Sequence, residues 1–337
     1  MTTYKEIFGK QIKNLSSDPP AATSEGQMWY NTTSNKFKST LSIGAWSSGT
    51  NLPQIVAYNG GAGTQTAALS IGGQEGNTSA INNTYEYDGS SWSNGGPIAA
   101  FFSGFPTPTG SYYFGAAGTQ TAALIVGGAE VNNRTIEYDG SSWTQTGNYP
   151  SQITQTTMNG IQTAAIAISG AGPPPGYTTT VATYNGSAWT ANPVAFNPAG
   201  RRMSSAGTYT ATIVSGGGGT TTNTSAQEWD GSSWTTVGAP SVPKNDAKST
   251  GIQTFALKFG LGATGATEQY NGSSWTTAAN TAVNRDLATC GSSNDSSGTT
   301  GLTIGGKTPS GSPSFIASTE EFTGEVIQLG YKTLTSS

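Results

Sequence analysis

Short runs of small and β-branched residues, each ending on glycine, recur along most of this chain. The run at 63–73 (GTQTAALSIGG) returns almost unchanged at 118–128 (GTQTAALIVGG). A short apolar run bounded by glycine is typical of a buried strand, and no window has the i, i+3, i+4, i+7 apolar spacing of an amphipathic helix. Weaker copies of the run occupy residues 160–170, 207–217, 251–262 and 298–306. The pattern predicts an all-β chain built from six copies of one unit.

An aromatic residue, a tight turn and a tryptophan follow each of the first five copies. The first reads Tyr87-Asp88-Gly89-Ser90-Ser91-Trp92. Asp-Gly and Asn-Gly accept the positive φ of a type I′ turn, so each segment predicts a β-hairpin. The sixth copy ends instead at Phe322-Thr-Gly-Glu-Val. The connections between the glycine pair and the aromatic vary in length, which predicts a face of variable loops at 74–84, 171–180 and 307–316.

The spacing of the repeat tryptophans predicts the architecture. Trp46, 92, 143, 189, 234 and 275 are 46, 51, 46, 45 and 41 residues apart, within the range of propeller blades. Residues 46–337 are therefore expected to form a six-bladed β-propeller with four strands per blade. The sixth copy lacks its own tryptophan, so the strand around Trp46 is expected to complete the blade of residues 287–323. The alternative outer strand for that blade is Val326–Ile327.

The first 45 residues differ from the repeats. They hold five of the fourteen Lys and Arg residues, and the segment 26–39 has the pattern of a hairpin with its turn at 31–35. The net charge of residues 1–45 is opposite in sign to that of the rest of the chain, which predicts that these residues form a separate docking segment. The candidate docking residues are Trp29, Tyr30, Lys36, Phe37 and Lys38.

The composition excludes several kinds of chemistry. There is no histidine and a single cysteine, Cys290, so a Ser-His-Asp triad, a His-ligated metal, a disulfide within the chain and a Cys-cluster zinc site are all excluded. The net charge is −4 and the four arginines are scattered, which argues against a nucleic-acid partner. No apolar stretch approaches 18 residues, so no membrane insertion is expected. We expect no catalytic residue, cofactor or metal.

Three sets of residues have alternative interpretations. The span from Trp92 to Gly128 is longer than its equivalents, and the extra residues hold an aromatic cluster that is either a plug over the channel mouth or a contact for a subunit or a glycan. That cluster consists of Phe101, Phe102, Phe105, Tyr112, Tyr113 and Phe114. The repeat tryptophans are expected to be core residues. Solvated edge charges that discourage aggregation are expected just before the repeat aromatics, at Glu86, Glu137, Glu228, Glu268 and Glu321.

These motifs resemble two known groups of proteins. A glycine pair, then tyrosine, then tryptophan on an outer hairpin resembles the kelch repeat, and Arg201, Arg202 and Arg285 before the first strands fit the same layout. The segment 26–38 (GQMWYNTTSNKFK) resembles one found near the N-termini of bacteriophage tail and fibre proteins. The repeats and the ending at 319–333 resemble kelch-like virion proteins of phages that infect marine cyanobacteria and other aquatic bacteria.

The resemblance implies a structural protein of the phage particle, of tail-fibre or appendage type. Its implied partners are other virion proteins, further copies of this chain and a glycan or protein of the host surface. The alternatives are a polysaccharide-degrading tailspike enzyme, a capsid or neck decoration protein with no receptor role, and a bacterial surface adhesin unrelated to phage.

Overall fold

A computed structural model describes thirteen segments of the chain, and in them every regular element is a β-strand, which confirms the all-β prediction. The described segments are residues 13–19, 28–39, 41–76, 79–98, 111–129, 132–173, 176–218, 225–242, 244–261, 264–286, 289–290, 299–309 and 314–328. The chain divides into two compact units. The small unit comprises Met1–Ala45 with Thr323–Ser337, and the large unit comprises Trp46–Phe322.

The small unit contains a three-stranded sheet of order β1-β2-β3. Strand β1 (Lys13–Leu15) runs parallel to β2 (Met28–Asn31), which forms an antiparallel hairpin with β3 (Lys36–Ser39). The Asn31 side chain closes the turn because its oxygen accepts the backbone N–H groups of Thr33 and Ser34 at 3.1 and 2.9 Å. The hairpin therefore forms where the sequence predicts it.

The described residues of the large unit, with β4, form six four-stranded sheets in a propeller-like arrangement. Sheet 1 contains β5 (Gly60–Thr64), β6 (Ala67–Glu75), β7 (Ser79–Tyr87) and β8 (Trp92–Asn94). Sheet 2 contains β9 (Gly115–Thr119), β10 (Ala122–Val126), β11 (Thr135–Tyr138) and β12 (Trp143–Gln145). Sheet 3 contains β13 (Thr157–Ile161), β14 (Ala164–Ala171), β15 (Tyr177–Tyr184) and β16 (Trp189–Asn192). Sheet 4 contains β17 (Ser204–Gly207), β18 (Thr212–Ser215), β19 (Ala226–Trp229) and β20 (Trp234–Val237).

Sheets 5 and 6 complete the set. Sheet 5 contains β21 (Lys248–Ile252), β22 (Phe255–Phe259), β23 (Thr267–Tyr270) and β24 (Trp275–Ala278). Sheet 6 contains β25 (Thr289–Cys290), β26 (Thr300–Ile304), β27 (Thr319–Gln328) and, as its fourth strand, β4 (Leu41–Ser48). In the alternative arrangement Val326–Ile327 would fold back and pair with Thr319–Phe322. Strand β27 runs from Thr319 to Gln328 without a turn, so these residues belong to one strand and do not form that pair.

The hairpin turns differ from the predicted type I′ geometry. Tyr87 pairs with Trp92, which leaves a four-residue loop between the strands. The Asp88 carboxylate accepts the backbone N–H groups of Ser90 and Ser91 at 2.8 and 2.7 Å, and only Gly89 has a positive φ. The prediction was wrong because this Asx turn satisfies the loop without a second left-handed residue. The same hydrogen bonds hold the pKa of Asp88 at about 2.

The predicted loop at 74–84 is mostly strand, and half of the predicted loop at 171–180 is strand. Strand β6 continues to Glu75 and β7 begins at Ser79, while β15 begins at Tyr177. The pairing of β6 with β7 shifts register between Ile71 and Gly73, which is a β-bulge. Gly73 has φ +108° and a Cβ there would lie 2.6 Å from Val56 Cγ2, so the glycine pair lets the hairpin continue past the bulge.

Four of the five glutamates before the repeat aromatics are acceptors between sheets, which corrects their interpretation as solvated edge charges. Each of the four accepts the hydroxyl hydrogen of a tyrosine in a neighbouring sheet. The pairs are Tyr87 with Glu321 (2.5 Å), Tyr138 with Glu86 (2.5 Å), Tyr184 with Glu137 (2.8 Å) and Tyr270 with Glu228 (3.0 Å). Glu268 instead accepts the backbone N–H of Ser241 at 2.7 Å, and Ser241 lies in the connection from sheet 4 to sheet 5.

The residue types of these pairs vary together. Sheets 4 and 6 have Trp229 and Phe322 in place of tyrosine, and neither side chain has a hydroxyl group. In the sheets that precede these two, the glutamate is also replaced: Thr183 stands before Tyr184 in sheet 3, and Gln269 stands before Tyr270 in sheet 5. Glutamate therefore occurs where a phenol is available to pair with it, which indicates that the pairing, and not charge alone, is the function of these residues.

The repeated glutamine joins sheets as well. Gln120 of sheet 2 donates to the backbone oxygens of Tyr87 and Ala68 in sheet 1, at 2.6 and 3.3 Å. Equivalent amide contacts to the preceding sheet are made by Gln65, Gln162 and Gln253. Each glutamine thus satisfies strand carbonyls that its neighbour leaves unpaired.

The repeat tryptophans are core residues only in part. Trp143 is buried and the other five are half-exposed, although all six lie on the outermost strands of their sheets. Each of the five hairpin tryptophans packs on its own sheet's tyrosine or tryptophan with ring centroids 4.8–5.0 Å apart.

We expect Tyr138→Phe to lower the free energy of unfolding by about 1–2 kcal/mol, because it leaves the partly buried Glu86 carboxylate without its donor. Urea unfolding measures the effect. Tyr149→Phe is the matched control, since the Tyr149 hydroxyl is buried and has no hydrogen-bond partner among the described residues, and it should be neutral. A loss in Tyr149→Phe as large as in Tyr138→Phe would contradict the prediction.

Candidate functional site

A cavity lies between the first strands of the six sheets. Its volume is about 440 Å³, and each of the strands β5, β9, β13, β17, β21 and β25 contributes to its wall. One lining residue from each is Gly61, Ala116, Met158, Ser205, Ser249 and Thr289. The approach is close at Gly60, where a Cβ would lie 2.3 Å from the Phe114 ring. Small residues on these strands therefore allow the sheets to meet around the cavity.

Five residues with left-handed backbone conformation stand at one end of this cavity. Each lies two positions before the first strand of its sheet, and none is glycine. We call them the collar residues: Tyr58 (φ 60°), Tyr113 (φ 64°), Gln155 (φ 57°), Arg202 (φ 55°) and Asp246 (φ 66°). The conformation costs a non-glycine residue about 1–3 kcal/mol and clusters at functional sites. The recurrence of this cost in five sheets makes the collar our candidate site.

The collar residues are joined by their own backbone. Four of the five, from Tyr113 onward, donate their N–H to the carbonyl oxygen of the collar residue in the preceding sheet. The distances are 3.3 Å from Tyr113 to Tyr58, 2.6 Å from Gln155 to Tyr113, 3.0 Å from Arg202 to Gln155 and 3.1 Å from Asp246 to Arg202. The left-handed φ thus accompanies an arc of hydrogen bonds across five sheets.

The collar side chains form a charged and aromatic cluster. Arg202 donates to Asp246 Oδ2 at 3.1 Å and to the Tyr113 hydroxyl at 3.0 Å, and its guanidinium carbon lies 4.8 Å from the centre of the Tyr113 ring. The Tyr58 ring contacts that of Tyr113 at 4.6 Å. Lys307 Nζ lies 5.1 Å from the Tyr58 ring centre. Burial raises the pKa of Asp246, and Arg202 opposes that shift.

A second cavity, of about 420 Å³, opens between the collar residues. All five of them line it, together with Asn59 and Lys248 among others. The arrangement is suited to binding a small ligand that meets aromatic faces and charged groups together.

The aromatic cluster of the sequence lies partly at this site. Tyr113 is a collar residue, and Tyr112 is half-buried beside it with ring centroids 4.9 Å apart. Phe114 is buried in the core between sheets 1 and 2. Phe101, Phe102 and Phe105 lie outside the described residues.

Two of the five candidate docking residues, Trp29 and Lys38, contact Asp18. Its carboxylate accepts hydrogen bonds from Trp29 Nε1 (3.0 Å) and Asn31 Nδ2 (2.7 Å), and it forms an ion pair with Lys38 Nζ at 2.6 Å. Trp29 is buried at 1% exposure. Tyr30 and Phe37 form a separate contact with ring centroids 5.1 Å apart, and the side chain of Lys36 lies outside the described residues.

We expect the carboxyl of Asp18 to titrate at about 2, chiefly because Lys38 donates to its charged form. These contacts are then complete above the ordinary carboxyl pKa of about 3.9 and are lost as the pH falls through about 2. Carbon-13 NMR of the carboxyl group measures the midpoint. Lys38→Met should raise it while leaving Asp88 near 2, because backbone N–H groups hold Asp88. An unchanged Asp18 midpoint in Lys38→Met would refute this cause.

Sequence reasoning missed three collar residues, Tyr58, Gln155 and Asp246. A signal for them exists, because every collar residue stands five positions before the repeat glycine, at 63, 118, 160, 207 or 251. That position holds tyrosine in the first two copies and glutamine, arginine and aspartate in the next three, so no single residue type marks it as a motif.

Within the described residues no three His, Cys, Asp or Glu side chains are grouped so that they could hold a metal ion. None of those residues belongs to a helix that is long and apolar enough to span a membrane. No protein-family model matches the chain, and no curated protein is significantly similar to it.

Proposed function

We propose that the large unit is a closed six-bladed kelch-like propeller and that the chain is a structural protein of a bacteriophage virion, of tail-fibre or appendage type. It acts by binding and not by catalysis. Its partners are other virion proteins, further copies of the chain and the host surface.

Contacts between the first and last sheets support closure of the propeller. Gln65 of sheet 1 donates to the Phe322 carbonyl of sheet 6 at 2.9 Å, in the same way as each later glutamine donates to its preceding sheet. Tyr87 of sheet 1 donates to Glu321 of sheet 6, just as Tyr138 of sheet 2 donates to Glu86 of sheet 1. On the other side of sheet 6, Trp46 contacts Phe259 of sheet 5 with ring centroids 5.2 Å apart. A closed array also leaves no long strand edge for aggregation.

The observation that carries the virion proposal is the small unit. Its hairpin is formed by the segment that resembles phage tail and fibre proteins, and Asp18 ties that hairpin together through Trp29 and Lys38. A separately folded segment before a rigid scaffold suits a protein that is anchored by one unit and presents the other.

Deletion of residues 1–40 tests the proposal. In the phage that encodes this chain, we expect the full-length protein to be found by mass spectrometry of purified virions. The truncated protein should fold, as judged by a cooperative thermal transition, and be absent from the particles. Normal incorporation of the truncated protein would refute the docking role. Absence of the full-length protein from purified virions would refute the virion assignment.

A further inference from the structure

Two residues that line the cavity at the collar have buried polar atoms without partners among the residues that the structure describes. Asn59 is 5% exposed, and its Oδ1 accepts no hydrogen bond although its Nδ2 donates to Ser70 Oγ at 2.8 Å. Arg202 Nε is likewise buried without an acceptor, while the two terminal nitrogens of that side chain are both occupied. Buried polar atoms in proteins nearly always have a partner. Two residues that line the cavity therefore each carry a buried polar atom that has no partner among the described residues.

The charge around the cavity favours an anion. Five cationic side chains contact or adjoin the collar residues: Arg201, Arg202, Lys244, Lys248 and Lys307. Two acidic ones, Asp246 and Asp286, pair with Arg202 and Lys244. In the described residues Lys248 forms no ion pair, so its ammonium group supplies positive charge to the cavity in a chain whose net charge is −4.

The aromatic residues favour a sugar ring over a simple anion. Tyr58, Tyr112 and Tyr113 form one cluster with ring centroids 4.6–6.4 Å apart. Tyrosine presents a flat apolar face with a polar hydroxyl at its edge. A pyranose ring has the complementary form, with an apolar C–H face and hydroxyl groups around it. The hydroxyls of such a ring suit the polar groups of this cavity, and a carboxylate on the ring is matched in charge by Lys248, which lines it.

We propose that the collar cavity binds a carboxylated sugar residue of a surface polysaccharide. The proposal deepens the proposed function, because it names the ligand class through which the propeller would attach to a host surface. It rests on the charge and the aromatic cluster of one cavity and on the unpartnered atoms of residues that line it.

Calorimetric titration of the full chain at low salt tests the proposal. The probes are short oligosaccharides of galacturonic, glucuronic and sialic acids, with neutral galactose oligomers and inorganic phosphate as comparisons. At least one acidic oligosaccharide should bind about tenfold or more tightly than the neutral sugar and phosphate, since the carboxylate and the ring are both recognised. Failure of all the acidic probes to bind would overturn the proposal, and so would equal affinity for phosphate, which indicates an adventitious ion only.

Variants separate the cavity from the general charge of the protein. Lys248→Met should weaken binding about tenfold, and Lys248→Arg should restore most of it, because the loss is that of one charge-assisted hydrogen bond. Arg134→Gln is the matched control: it removes the same charge from the β10–β11 connection, which does not line the cavity, and should leave affinity unchanged. Equal weakening by Arg134→Gln and Lys248→Met would overturn the assignment to this cavity, provided that both variants unfold at the wild-type temperature.

The two proposals fail separately. A chain that is present in virions but binds no acidic sugar loses the ligand assignment alone. A chain that binds the sugar but is absent from virions loses the phage role alone.

Discussion

Replacing Arg285 with methionine is expected to lower the free energy of unfolding of the large unit by about 3–5 kcal/mol, the largest effect of any single substitution considered. Arg285 is completely buried and pairs with Glu320, which is 1% exposed. The guanidinium also donates to the backbone oxygens of Gly305 at 3.0 Å and Ser318 at 2.9 Å. Removing it leaves a buried carboxylate without its counter-charge and two carbonyl oxygens without a donor. Urea unfolding followed by tryptophan fluorescence measures the loss.

A second variant distinguishes the charge from the packing. Glu320 accepts the backbone N–H of Ala282 at 2.6 Å as well as pairing with Arg285. In Arg285→Met with Glu320→Gln the buried carboxylate is gone, and the amide oxygen is still available to that N–H group. We expect the double variant to be more stable than Arg285→Met alone. A double variant less stable than Arg285→Met would show that packing, and not the unpaired carboxylate, causes the loss.

Replacing Trp46 with alanine is expected to cost about 3 kcal/mol, at the lower end for a tryptophan because the side chain is half-exposed. Its ring lies 5.2 Å from that of Phe259 and 5.3 Å from that of Phe322, and its indole N–H donates to Thr267 Oγ1 at 3.1 Å. The substitution therefore weakens both the packing within sheet 6 and its contact with sheet 5.

Thermal and urea unfolding measure the loss, with Tyr209→Ala as the matched control. Tyr209 is also aromatic but is 41% exposed, and its removal should change the free energy of unfolding by less than about 0.5 kcal/mol. If Trp46→Ala were no more destabilising than Tyr209→Ala, the strand around Trp46 would contribute nothing to the stability of sheet 6.

Some features of this chain were predictable because their causes are local. The glycine-bounded apolar runs and the aromatic-to-Trp hairpins depend on residues within a few positions of one another, and the pattern is visible because the runs recur six times and the hairpins five times. The hairpin of the small unit depends on Asn31 and the four residues after it. The turn type was predicted wrongly even though its cause is local. The Asp88 carboxylate accepts the N–H groups of Ser90 and Ser91, and this stabilises a turn other than the type I′ turn that the Asp-Gly pair suggested.

Other features depend on which sheets become neighbours, and sequence patterns carry no direct record of that. Glu86 is an ordinary strand glutamate until Tyr138 of the next sheet is placed beside it, 52 positions away along the chain. The collar is formed by single residues of differing type from five repeats, so no single residue type marks it.

The amino-acid sequence by itself determined the strands, their number per repeat and the hairpins, because short-range periodicity and glycine positions decide which segments extend and where they turn. Only the tertiary structure decided which glutamates pair with which tyrosines, that Arg285 is buried against Glu320, and that Tyr58, Tyr113, Gln155, Arg202 and Asp246 line one cavity. The physical reason is that these contacts join residues far apart in the chain, whose proximity follows from the packing of whole sheets.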